Sequence, residues 1–437
     1  MKLLFITPRA SGGGAEKVIT ILASEFAKEN EVYLLTLLKD NEEERYALSE
    51  RVHYLNLYEY MQQTDIETPR TYEWDGLLAK LKKYLVAFIP KKTLETRESK
   101  KYEAQIEALK RLKKQIRPDC SISFLNSANY CNAMSKVKDK TIISIRSCLD
   151  PNGKYVFNEI RDEERISEIT ESLYKADKVV SVSKEIVEYL VKGFHADRDK
   201  ISVIYNMVNE EEILSQADKE VTEEDFLQKV KDSEFVFFNS GRLTEKKGQW
   251  HLLRAFSKVV EKHPKATLFI LGREGKNEEN TGELLKETIS KYHLENNVSL
   301  MGFRNDPYAY LRYADAYVMS SFNEGFPNAL VEAMALSIPV ISTDCSSGPR
   351  EILEPSSDCM IKTETVEHAS YGILVPQCSA DKNIDRPLEQ AEECLAEAMN
   401  ELIENKQMRN HYQEMSVKGI KAYNRDEIIR KWKELID

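Results

Sequence analysis

Short apolar runs alternate with longer stretches whose apolar positions recur at helical spacing, and the alternation continues along nearly the whole chain. Residues 2–7, 31–38, 120–124, 141–145, 178–182 and 201–204 are brief and rich in β-branched or aromatic side chains, which predicts buried strands. Residues 16–28 gather their apolar positions on one helical face. An acidic, polar stretch at 209–233 reads as a linker carrying a helix. A second series follows, with strands at 235–239, 267–271, 298–301, 316–319 and 339–342 and helices at 250–262 and 282–292. Strands separated by helical crossovers pair in parallel. The pattern therefore predicts an α/β chain of two doubly wound domains, each of about 200 residues. Residues 425–436 form a last amphipathic helix.

One region breaks the alternation. Between residues 76 and 117 there are 13 Lys or Arg against 4 acidic residues, in a chain whose net charge is −11. Leu77, Leu81, Tyr84, Leu85 and Phe88 share a helical face, Pro90 ends that segment, and 102–115 begins another helix. A basic amphipathic helix of this kind lies on an anionic membrane surface or forms a hairpin packed on its own domain. The overall negative charge argues against general nucleic-acid binding. No run approaches the roughly 18 apolar residues of a membrane span. The apolar start at 2–6 stops at Thr7-Pro8-Arg9 and leads into Gly12-Gly13-Gly14, which predicts a strand and its turn rather than a leader. Seven scattered cysteines point to a reducing cytoplasm, and the seven histidines show no ligand spacing, so no metal site is expected.

The chemistry gathers at the ends of strands. Glu324-Gly325-Phe326-Pro327-Asn328-Ala329-Leu330-Val331-Glu332 follows the strand at 316–319, so one carboxylate falls in a loop and the other about one turn into a helix. Amides at a helix start hold phosphate, and carboxylates accept hydrogen bonds from sugar hydroxyls. A nucleotide-sugar carries both groups. Gly241-Arg242-Leu243 to Lys247-Gly248 follows the strand at 235–239 and places two cations on one loop. Such cations neutralise a leaving diphosphate without a metal, unless the loop is merely solvated. Gly13 and Gly14, after the first strand, let backbone approach a ligand or simply make a tight turn. They complete neither a dinucleotide fingerprint nor a Walker loop, and no metalloprotease or nucleophile-elbow motif is present.

In combination these segments resemble the retaining glycosyltransferases of the GT-B fold, in family GT4. Gly12 to Glu16 is similar to the family's glycine loop, Gly241 to Gly248 to its diphosphate loop, Met301-Gly302-Phe303 to the segment beside the base, and Glu324 to Glu332 to its E-x7-E motif. The resemblance implies an N-terminal Rossmann-like acceptor domain over 1–207 with a basic insert at about 60–117. It implies a nucleotide-sugar donor domain over 208–420 and a helix at 421–437 that returns to the first domain, with a cleft between the two. It assigns Arg242 and Lys247 to the diphosphate and Glu324 to the transferred sugar. The amides of Gly325, Phe326, Asn328, Ala329 and Leu330 fall to sugar or phosphate, Glu332 to the ribose, and Gly272, Arg273 and Phe303 to the base. A UDP-sugar donor follows, with a hexose or N-acetylhexosamine passed to a saccharide, lipid-linked or glycoprotein acceptor in surface-glycan synthesis. No cofactor is implied.

The family's N-terminal His is missing from residues 121–130; Asn126, Asn129 or Arg146 are the candidates to replace it. A catalytically silent partner subunit, binding acceptor for an active transferase, is the alternative reading. The intact Arg242, Lys247, Glu324 and Glu332 argue against it, since a silent subunit has no need of a full donor site.

Overall fold

The computed structural model describes residues 1–39, 45–64, 91–148, 163–274 and 280–437. The first sheet holds β1 (Lys2–Thr7), β2 (Glu31–Thr36), β3 (Val52–Asn56), β4 (Cys120–Phe124), β5 (Lys140–Ile145), β6 (Lys178–Ser181) and β7 (Ile201–Val203). Its order is β3-β2-β1-β4-β5-β6-β7, with every pair parallel. The second holds β8 (Phe235–Ser240), β9 (Ala266–Leu271), β10 (Val298–Gly302), β11 (Ala316–Met319), β12 (Val340–Thr343), β13 (Glu367–His368) and β14 (Ile373–Val375). Its order is β10-β9-β8-β11-β12-β14-β13, parallel except for the short edge strand β13, which runs antiparallel to β14. Helices cover both faces, so a central strand such as β4 is buried at every position. In each sheet the order reverses beside the first strand, between β1 and β4 and between β8 and β11. Loops leaving the carboxyl ends diverge there and open a crevice.

Several elements differ from the pattern-based reading. Residues 209–233 are no linker. They form the helices Glu210–Ala217 and Glu224–Asp232, each hiding a narrow apolar stripe behind a charged outer face. Phe226 packs on Phe238 and Phe269 with ring centroids 6.4 and 4.9 Å away. The strand β3, the helix Leu57–Gln63 and the helices Gln390–Glu404 and Lys406–Gly419 are additional to those read from the pattern. Of the basic insert, the helix Lys91–Ile116 is described, and its Ala108, Leu109, Leu112 and Ile116 pack against Leu4, Ile6 and Leu35. The predicted apolar face from Leu77 to Phe88 lies outside the described residues.

The domains are joined in two ways. The helix Arg425–Ile436 packs on the first sheet, where Ile428, Trp432 and Ile436 meet Leu3, Phe5 and Phe124. Trp432 stacks on Phe124 at 5.9 Å. Across the crevice, Glu351 accepts the amides of Lys184 (2.8 Å) and Glu185 (3.1 Å), which open the helix Lys184–Phe194 of the first domain. Glu185 reciprocates by accepting the Ser347 amide (2.8 Å) and Lys362 Nζ (2.9 Å). Each domain thus supplies a carboxylate to orphan amides or a cation of the other.

Candidate active site

The loop after β8 is held by backbone contact. Gly241 and Gly272 meet at the ends of β8 and β9, so closely that a Cβ on Gly272 would overlap the Gly241 carbonyl. The amide of Leu243 then donates to the Arg273 carbonyl at 3.1 Å. Gly248, at φ 57°, opens the helix Gln249–Lys262, and a Cβ there would strike the carbonyl of Ser320. Only glycine permits both that left-handed turn and that approach. Ser320 Oγ donates to the Lys247 carbonyl (2.9 Å), and the Phe322 amide to that of Lys246 (2.8 Å). These bonds fix the cationic loop against the segment following β11. As a result Lys247 Nζ lies 2.6 Å from Glu324 Oε1. Arg242 is exposed on the same loop. At the crevice edge the Arg273 guanidinium lies 4.7 Å from the ring centroid of Phe303, which is 55% exposed, giving a flat aromatic plate beside a cation.

The helix Asn328–Ala335 begins just past Pro327 and carries Glu332, half-buried, one turn in. The amides of Asn328 and Leu330 donate to the carbonyls of Phe326 (3.0 Å) and Pro327 (3.1 Å). The turn itself therefore occupies two amides that the sequence reading offered to ligand. Those of Gly325, Phe326 and Ala329 have no acceptor among the described residues. The Phe326 ring points into the domain junction, 5.6 Å from Tyr205 and 5.1 Å from Tyr423.

The first domain supplies the opposite wall. Gly13 precedes the helix Gly14–Phe26, and Gly14 faces the Asn328 side chain. A Cβ on Gly325 would run into the carbonyl of Arg146, so the two walls touch at that turn. Asn126 opens the helix Asn126–Met134 at the carboxyl end of β4, half-buried. Asn129 is a correction. It is 1% exposed; its Oδ1 accepts from Ser123 Oγ and its Nδ2 donates to the Ser144 carbonyl, both at 2.9 Å. Three residues along its helix it faces the sheet rather than the crevice and braces β4 to β5. Arg146 ends β5 beneath the Gly325 turn. It donates to Asn206 Oδ1, and Asn206 Nδ2 donates to Asn328 Oδ1 at 2.6 Å.

Three residues of the crevice escaped the sequence reading. Tyr308 donates to Glu332; burial, then that carboxylate, pushes its phenol up. Tyr46 lies within electrostatic reach of Glu16, Arg242 and Glu332 and is likewise pushed up, first by burial. Asn206 links the walls. Tyr308 lies in the short helix Pro307–Leu311, Tyr46 between β2 and β3, and Asn206 just after β7, so no shared sequence signal marks them. One group of metal-type donors, His251, Cys378 and Glu389, occurs among the described residues. It does not fit an ion, because the His251 nitrogens already meet Glu392 (2.5 Å) and the Ser379 carbonyl (2.7 Å), and burial pushes the Cys378 thiol well up.

Comparison with known proteins agrees with this architecture. Residues 12–212 match the family described as Glycosyltransferase Family 4, and residues 221–418 match Glycosyl transferases group 1. An uncharacterized glycosyltransferase of Methanocaldococcus jannaschii is 38% identical over 270 residues, covering 60% of this chain and 64% of that protein. The N-acetylgalactosamine-N,N'-diacetylbacillosaminyl-diphospho-undecaprenol 4-alpha-N-acetylgalactosaminyltransferase of Campylobacter jejuni is 28% identical over 74% of this chain and 77% of its own. Among solved structures, Anabaena HepE in complex with UDP superposes with a TM-score of 0.69 at 17% identity, covering 100% of this chain and 99% of its own. The two family matches together span most of the sequence, one per sheet, and the protein belongs to the family 4 glycosyltransferases with the GT-B fold.

Proposed function

We propose that this chain is a retaining, metal-independent transferase that moves a hexose or N-acetylhexosamine from a UDP-sugar to a saccharide, lipid-linked or glycoprotein acceptor in surface-glycan synthesis. The observation that carries the proposal is the convergence of Lys247 and Glu324 at 2.6 Å, with Glu332 one helical turn behind and the Arg273–Phe303 plate at the edge. In this reading Arg242 and Lys247 take the charge that develops on the diphosphate as the anomeric bond breaks. Glu324 accepts hydrogen bonds from the transferred sugar, and Glu332 those of the ribose. The acceptor hydroxyl attacks the same face that the diphosphate leaves, and its proton passes to the departing phosphate oxygen. Support comes also from the UDP bound in Anabaena HepE and from the lipid-diphosphate acceptor in the name of the Campylobacter relative.

A donor panel of UDP-, GDP- and ADP-sugars, read by nucleotide release with and without EDTA, tests the donor and the metal together. Release confined to UDP-sugars and insensitive to EDTA is the expected result. Proton NMR of the new linkage reads the anomeric configuration. No described helix is long and apolar enough to cross a membrane. The basic insert is proposed instead to rest on anionic lipid, and the protein should float with phosphatidylglycerol-containing liposomes. Sedimentation without them would favour a hairpin packed on its own domain.

A further inference from the structure

Four cations are buried among the described residues: Lys113, Arg146, Arg254 and Arg350. A charge taken out of water is costly unless an anion accompanies it. Three of the four have one. Lys113 meets Asp139 at 2.9 Å, Arg254 meets Glu392 at 2.6 Å, and Arg350 meets Glu367 at 2.7 Å. Arg146 is 9% exposed, yet no carboxylate among the described residues lies within ion-pair distance of it. Its partners are neutral: Ser144 Oγ at 3.4 Å, Asn206 Oδ1, and the ring of Phe124 at 4.3 Å. Burial draws it down to about 9, and the more distant Glu16 opposes that shift. Among the described residues, two of its five N–H groups have an acceptor.

The position gives the charge a purpose. The Arg146 carbonyl abuts Gly325 between the two carboxylates of the donor motif, and its side chain reaches Asn328 through Asn206. Arg242 and Lys247 lie across the crevice on the other domain and already serve the donor diphosphate in the reading above. We propose that Arg146 recognises an anionic group on the acceptor, a phosphate or carboxylate close to the hydroxyl that is glycosylated. This rests on the transferase reading. A guanidinium offers paired N–H groups that match the edge of either anion.

The test titrates UDP-saturated protein with three probes: N-acetylglucosamine 1-phosphate, glucuronic acid and neutral N-acetylglucosamine. One anionic probe should bind at least about tenfold more tightly than the neutral sugar, the scale of a charged hydrogen bond. Which of the two does so separates phosphate from carboxylate. Arg146→Gln should abolish that advantage and leave UDP affinity within about threefold. Because Arg146 is buried, Asn206→Asp serves as a second variant. It gives the guanidinium an internal carboxylate, so it should hold or raise the melting temperature while losing the anionic preference. Equal binding of all probes by the wild type overturns the proposal. So does an Arg146→Gln loss that falls on UDP instead, which would assign the cation to the donor. Failure of the wild type to bind UDP would strike the donor reading alone, and titration with the probes in the absence of UDP reads Arg146 independently of it.

Discussion

Lys247 and Glu324 pair at 2.6 Å, although the proposed chemistry sends one to the diphosphate and the other to the sugar. Glu324→Ala should abolish transfer while leaving UDP affinity within a few-fold by calorimetry; retained turnover would remove its assigned role. Glu332→Ala should weaken UDP binding by about 1–3 kcal/mol, the cost of lost hydrogen bonds to a charged group. The four charged residues of the donor motifs were legible as positions, since polar side chains at strand ends stand out against apolar runs. Their mutual approach was not, because it depends on Gly248 and Ser320, far apart in sequence, coming into contact. Asn129 was misjudged because the sequence does not say which face of its helix meets the sheet.

At the scale of elements, fastening is done by polar networks that leave no periodic trace. The helix Gln390–Glu404 is tied to Gln249–Lys262 by Glu392, which His251 meets at 2.5 Å and Arg254 at 2.6 Å. Burial alone would raise the Glu392 carboxyl, yet hydrogen bonds from His251, Arg254 and the Glu389 amide bring it from 4.5 to about 2. The unfolded chain then binds this proton more readily. The stabilisation, about 3 kcal/mol in total, is complete above pH 4.5 and is lost as pH falls towards 2. Glu392→Gln should flatten that acid limb in urea unfolding measured across the same pH range; an unchanged limb would assign it to other groups. The strands were far easier to read than these helices. Buried parallel strands are continuous apolar runs, whereas 210–217 and 224–232 show a narrow stripe under a polar and charged coat.

At the scale of the whole molecule, two doubly wound sheets were legible from alternation, whereas the strand order within each, with its reversal placed beside β1 and β8, came only with the structure. The reciprocal carboxylates Glu185 and Glu351 hold the walls together, and the last helix returns from the second domain to pack on the first sheet. Trp432→Ala should destabilise the first domain by about 3–5 kcal/mol, the usual cost of removing a buried aromatic. Hydrogen exchange at β1 and β4 should report it, while the second sheet stays protected.

That last helix also sets an order of assembly. Leu3, Phe5 and Phe124 emerge from the ribosome early, but the side chains that cover them, Ile428 and Trp432, are made after the entire second sheet. During synthesis the first domain carries an open apolar face that cannot close on its own. A nascent chain halted between the domains therefore presents that face to chaperones until the helix Arg425–Ile436 has been made.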